Sequence, residues 1–361
     1  MNHVARNKGF SMVEILVGMV IGLLGVIIIM QIFALAEGQK RTTTSGSDAQ
    51  TNGNISLYSV EHDVRLSGYG ISLAALGCSI STSYNSSTTN PGTLTLAPVV
   101  ITDGGVDASG NALPDTLSVL YSRNTMTGLP QTLAYVNLQA DTQSTIGSTF
   151  TAAANDLVVY YQSGKNCTLA QVTAVANNTV LNHDNSLTPN WNNSAIFPAS
   201  GYDVNSNVFN FGPMAYRIYS IDTVNNNLQF TQVNASGPSL FLAAGEIVNL
   251  QAQYGKDTGA HAGHVAGDNI VDAWDTVTPG LIPPAGAGTN AQWQQIIAVR
   301  LAILARSGQY EKPTTAGVCT ATTVAPSWTG GTMAVPGGLP SCYRYKMFET
   351  VVPLRNIIWG S

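Results

Sequence analysis

The sequence has 361 residues and a formal net charge of −5, so a broad basic surface for nucleic acid is not expected. Only 10% of its residues are charged while 44% are hydrophobic, which excludes a chain disordered throughout. Asn, Thr, Ser and Gln carry the remaining polarity, a balance that suits an exported, β-rich protein better than a cytosolic enzyme.

Residues 1–9 are polar and include Arg6 and Lys8 but no acid. Phe10-Ser11-Met12-Val13-Glu14 follows, and then an apolar run from Ile15 to Ala36 in which Gln31 is the one strongly polar residue. Twenty-two helical residues at ~1.5 Å each span roughly 33 Å, enough to cross a hydrocarbon core. Basic residues precede the run, so the positive-inside tendency keeps that end cytoplasmic and sends the rest of the chain across the membrane.

Three readings of this segment are open. A cleaved secretory signal has a candidate site at Ala34-Leu35-Ala36, but the apolar run exceeds the usual h-region. A plain anchor explains the length but not Glu14, because an ionised carboxylate inside a spanning helix costs about 2.5–3.5 kcal/mol. The third reading gives that carboxylate a partner. Lys8-Gly9-Phe10-Ser11-Met12-Val13-Glu14 resembles the N-terminal signal of type IV prepilins and pseudopilins. The resemblance implies cleavage between Gly9 and Phe10 by a prepilin peptidase, N-methylation of Phe10, and neutralisation of a neighbouring subunit's amino terminus by Glu14. Burying a new amine and a carboxylate together is less costly than burying either alone. Gly18 and Gly22 form a Gly-x-x-x-Gly pair, with Gly25 nearby, where helices could pack closely.

The stretch 37–54 is polar and reads as an exit turn or a short flexible break, with helix returning over 55–66. Leu57, Val60 and Val64 make one apolar stripe there, and Gly68 and Gly70 are stop signals. Beyond Ile71 the pattern becomes short apolar alternations. Strands are expected at 116–122, 156–162, 169–176, 214–221, 228–233, 246–254, 296–306 and 344–352. Asn225-Asn226-Asn227 is a hairpin signal, and 81–91 and 176–198 read as long polar loops.

Arg65-Leu66-Ser67-Gly68-Tyr69-Gly70 and the blocks 246–255, 297–307 and 343–356 resemble the PilW family of type IV pilus minor pilins. The resemblance covers residues 1–70 and 246–361, and the middle of the chain matches in strand pattern alone. It implies an α+β, type IV pilin fold: a long helix packed on an antiparallel sheet with large loops. The organisation is then a leader at 1–9, a transmembrane helix at 10–36, its periplasmic continuation at 37–67 and a β-rich head at 68–361. It also implies a single-pass inner-membrane protein that enters the pilus. Its partners would be the major pilin, other minor pilins and a tip adhesin, in a priming complex near the filament tip. A type II secretion pseudopilin shares the N-terminus, and an adhesin-like binding module is a further alternative.

Cys78, Cys167, Cys319 and Cys342 lack the Cys-x-x-Cys spacing of zinc or thioredoxin-like sites. Four cysteines admit three pairings, and the sequence alone does not choose. Cys78–Cys167 with Cys319–Cys342 is favoured because the second would staple a Pro/Gly-rich loop before the last strand; four reduced, buried cysteines are the alternative. His261 and His264 lack the acid of a zinc protease motif. Asp257, Asp268, Asp272 and Asp275 share a loop, but Gly259, Ala260, His261 and Ala262 stand where calcium would need more acids, so a solvated loop is expected. Asp103-Gly104-Gly105-Val106-Asp107 reads as a turn. Trp191, Phe197 and Tyr202 read as core. No Gly-x-Ser-x-Gly, Walker loop or dinucleotide fingerprint occurs, and five dispersed histidines define no triad. Neither a catalytic site nor a metal or cofactor is expected.

Overall fold

A computed structural model of the chain describes residues 9, 11–82, 84, 94–123, 130–149, 152–186, 190–192, 197–280, 287–314 and 316–358. Phe10 and residues 1–8 of the expected leader lie outside the described residues, as do parts of the loops expected at 81–91 and 176–198.

One helix, α1, runs unbroken over Met12–Leu66, 55 residues or roughly 82 Å at 1.5 Å each. It passes straight through the polar stretch where a turn or break was expected. Ser and Thr hydroxyls usually compete with a helix for its backbone groups. Here Thr43 Oγ1 donates to Gln39 O, Thr51 Oγ1 to Ser47 O and Ser56 Oγ to Asn52 O, each four residues back, so the competition is absorbed within the helix. Beyond Leu66 the helix cannot continue. Gly68 takes φ +80°, a left-handed conformation that favours glycine, and its N–H donates to Leu120 O in the head at 2.9 Å.

The two halves of α1 lie in different surroundings. Met12–Lys40 is long and apolar enough to cross a membrane, and none of it is buried. Farther along, Ala49, Val60 and Val64 are buried in the head with Leu57 packed beside them. Burial of each valine stabilises by roughly 1.5–3 kcal/mol.

The head holds five sheets among the described residues, so the architecture is α+β with more sheets than the one expected. A four-stranded sheet runs Ala273–Asp275, Ile247–Lys256, Ile296–Arg306, Tyr345–Pro353 in spatial order. A five-stranded sheet runs Gly237–Gly245, Asn227–Asn234, Ala215–Asp222, Thr116–Tyr121, Val99–Thr102. Both pack with α1 in one core that includes Leu117, Val119, Tyr219, Leu250, Val299 and Leu301. A six-stranded sheet adds a second core around Leu157, Val159, Leu169 and Phe211. Its strands pair antiparallel except Cys78–Ser81 with Cys167–Gln171, which are parallel. Three- and two-stranded sheets complete the head.

The stretch 169–176 is not one strand. Cys167–Gln171 belongs to the six-stranded sheet and Ala174–Ala176 to the three-stranded one. Trp191, Phe197 and Tyr202 are all buried, but Trp191 packs in the second core whereas Phe197 and Tyr202 pack around Tyr160 in a third. Disulfides join Cys78 to Cys167, across the parallel pair, and Cys319 to Cys342.

Candidate functional site

The N-terminal end of α1 is capped by its own side chains. Ser11 takes an extended backbone, its Oγ accepts from Val13 N at 3.4 Å, and its N–H donates to Glu14 Oε2 at 3.0 Å. Glu14 therefore has a hydrogen-bonded role within the single chain. At Gly18 and Gly22 an added Cβ would meet nothing within 4 Å, so this small-residue face is open in the monomer. The outward face of the last turns carries apolar side chains as well: Ile55, Tyr58 and Leu66 are exposed at helical spacing, with His62 between them. Exposed apolar side chains thus line the first part of the helix up to Leu35 and recur at Ile55, Tyr58 and Leu66 beyond the polar stretch 37–54, where the opposite face is held by the head.

Asp63 is the centre of that hold. Its side chain is only 1% exposed on the inner face of α1. Tyr121 Oη donates to Asp63 Oδ1 at 3.0 Å, and Arg217 Nη1 and Tyr219 Oη donate to Oδ2, the former at 2.6 Å. Arg217 Nε donates to Gln232 Oε1 at 2.7 Å, and its guanidinium lies 4.9 Å from the centre of the Phe230 ring. Burial opposes the charge on Arg217, but the hydrogen bond and charge of Asp63 outweigh it and raise its pKa. Burial, then the neighbouring Asp63 carboxylate, push the Tyr121 hydroxyl up to about 12 and raise that of Tyr219 as well. Both tyrosines are thus kept as neutral donors to the carboxylate.

A strap runs beside the same helix. Lys346 Nζ donates to Gln50 Oε1 at 2.9 Å, and Asn356 Nδ2 donates to Ser67 O at 2.9 Å. Between them, Phe348 covers Gly53 so closely that a Cβ there would lie 2.1 Å from Phe348 Cε2. Strand Tyr345–Pro353 and the helical turn Arg355–Ile358 therefore follow α1 from Gln50 to Ser67. Asp63, Arg217, Tyr121, Tyr219, Gly53 and Phe348 were not singled out from sequence. The available signal was an acid one residue from Val64 on the buried stripe.

The loop acids act on the backbone. Asp257 accepts from Gly267 N and Asn269 N, Asp272 from Thr258 N and Gly259 N, and Asp268 from Ile270 N. Asp275 pairs with Lys256 at 2.6 Å, and the His261 and His264 rings meet edge to face. Among the described residues no group of three or more His, Cys, Asp or Glu is arranged to hold a metal. Asp107 closes a turn through Ser109 N and Asn111 N, while Asp103 accepts from Gly105 N and from Thr276 Oγ1.

No curated protein and no solved structure matches the chain. The family model described as PilW, Type IV Pilus-assembly protein W, matches residues 218–356, which carry Tyr219, Phe348 and the strap; residues 1–70 lie outside the match. Over residues 218–356, fewer than half of the chain, the protein is similar to the type IV pilus-assembly proteins of that family.

Proposed function

We propose that the chain is a minor pilin, a structural rather than catalytic subunit that enters a type IV pilus through its N-terminal helix. On this reading it is a single-pass inner-membrane protein with a periplasmic head of type IV pilin fold. A prepilin peptidase cuts between Gly9 and Phe10, Phe10 becomes N-methylated, and the Glu14 carboxylate exchanges its intrachain cap for the new amino terminus of a neighbour. The head sits among other minor pilins, in a priming complex near the tip that also meets the major pilin and a tip adhesin.

The observation that carries the reading is the division of one 55-residue helix into a bare apolar half and a half locked into the head. A secreted protein does not need its apolar segment fused to a core helix, and a plain anchor does not need an apolar outer track at Ile55, Tyr58 and Leu66. Helices packed side by side in a filament would cover that track. The family match supports the same conclusion independently of the helix.

The test is to count surface pili by electron microscopy in strains carrying Gly9→Ala or Glu14→Ala. Gly9→Ala should leave an unprocessed precursor, and both should reduce piliation. Normal processing and normal piliation in both strains would refute the proposal.

A further inference from the structure

Strands Ile296–Arg306 and Tyr345–Pro353 pair antiparallel beside α1, and their contacts step down the helix toward its apolar half. Asn356 meets Ser67, Phe348 meets Gly53 and Lys346 meets Gln50. Just past the end of Ile296–Arg306, Gln309 and Tyr310 share a cleft with Glu37, Lys40 and Thr44. The apolar run ends at Ala36, within the candidate span Met12–Lys40, so this turn stands where the helix would leave the membrane. From Lys40 to Thr44 the helix rises roughly 6 Å, about the depth of the headgroup zone on one side of a bilayer.

The side chains suit that zone. Tyr310 is 58% exposed, yet its ring packs edge to face on Tyr343 at 5.7 Å between centroids. A held aromatic ring with a hydroxyl at its tip favours the membrane–water interface. The charged residues here include Glu37, Lys40, Glu311 and Lys312. Arg344 engages the Glu311 carboxylate, while Lys40 and Lys312 are exposed.

We propose that the turn at 309–312 rests on the lipid headgroups of the periplasmic leaflet, with Tyr310 as the interfacial anchor and Lys40 and Lys312 facing anionic phospholipid. The proposal depends on Met12–Lys40 being the membrane span. The head then stands against the bilayer at a fixed tilt, and its removal into a filament must break this contact.

The experiment places p-benzoylphenylalanine at single positions of the full chain in vesicles of phosphatidylethanolamine and phosphatidylglycerol. Position 27 lies inside the span and position 310 in the turn. Position 265 is a control: Val265 is 70% exposed in the loop beyond Lys256, at the opposite end of the same sheet. After irradiation, peptides carrying 27 and 310 should gain the mass of one phospholipid, and the peptide carrying 265 should not. Adducts at 27 but not at 310, or equal yields at 310 and 265, would overturn the proposal and leave the span standing. No adduct at 27 would overturn the span itself, and the proposal with it.

Discussion

Asp63 Oδ2 lies 2.6 Å from Arg217 Nη1, and this ion pair ties the long helix to strand Ala215–Asp222. With Tyr121 and Tyr219 donating to the same carboxylate, the pair fixes the helix's rotation as well as its position.

Asp63→Asn should therefore lower the stability of the full chain in detergent by about 3 kcal/mol, because it leaves a half-buried guanidinium short of its counter-charge. Arg217→Met should be costly alone, while Asp63→Asn with Arg217→Met should cost less than the sum of the two. Chemical denaturation of the four proteins in this cycle checks the coupling. Simple additivity would mean that the pair does not act as a unit.

Gly53 and Phe348 give a prediction of sign. Gly53→Ala removes a helix-interior glycine, worth about 1 kcal/mol in favour of the helix. Its new Cβ would also lie 2.1 Å from the Phe348 ring, and displacing the ring costs about 1–3 kcal/mol. The substitution should destabilise the native protein but stabilise a Phe348→Ala background. Thermal unfolding of the two pairs reads the reversal, and the same sign in both would contradict the packing.

Two buried groups should nearly cancel in their effect of pH on stability. His183 is buried beside Ser144, with 2.8 Å between Nε2 and Oγ, and burial pulls its pKa from 6.5 down to about 4. Its contribution is present above pH 6.5 and is lost as pH falls through about 4. Asp115 is buried where Gly104 N and Ala252 N donate to it, and burial pushes its pKa from 3.8 up to about 6. Its contribution is present below pH 3.8 and is lost as pH rises through about 6. Each is worth roughly 3 kcal/mol, with opposite slopes in the same window. His183→Gln should make stability fall as pH rises from 4 to 6, and Asp115→Asn should make it rise from 4 to 6.5. Denaturation midpoints across that range test both; parallel profiles would contradict the assignment.

The disulfides should differ in weight. Cys78–Cys167 closes a sequence separation of 89 and Cys319–Cys342 one of 23. Chain entropy alone gives about 5 and about 3 kcal/mol for loops of these lengths. Paired Cys→Ser variants, compared by urea denaturation, should rank in that order.

What could be read from the sequence followed local pattern. The apolar run of 15–36 and the stripe Leu57, Val60, Val64 announce a helix by composition and period. The strands Ala215–Asp222, Ile247–Lys256 and Ile296–Arg306 announce themselves by β-branched content. Strand Gly237–Gly245 was missed because Gly237, Pro238 and Gly245 frame it with turn residues and its apolar side chains Leu240, Phe241 and Leu242 face solvent. The long helix hid its continuity at 37–54 because back-bonded hydroxyls look like turn formers in sequence. Asp63 stood on a buried face, but its partner is 154 residues away, a distance that no local period encodes.

A helix processed and assembled as a pilin leaves its mark on the N-terminus of the membrane-extracted protein. Mass spectrometry of that terminus should find a chain that begins at N-methylated Phe10. A chain beginning at Glu37, after signal-peptidase cleavage, or one that retains Met1 at full length, would contradict pilin processing.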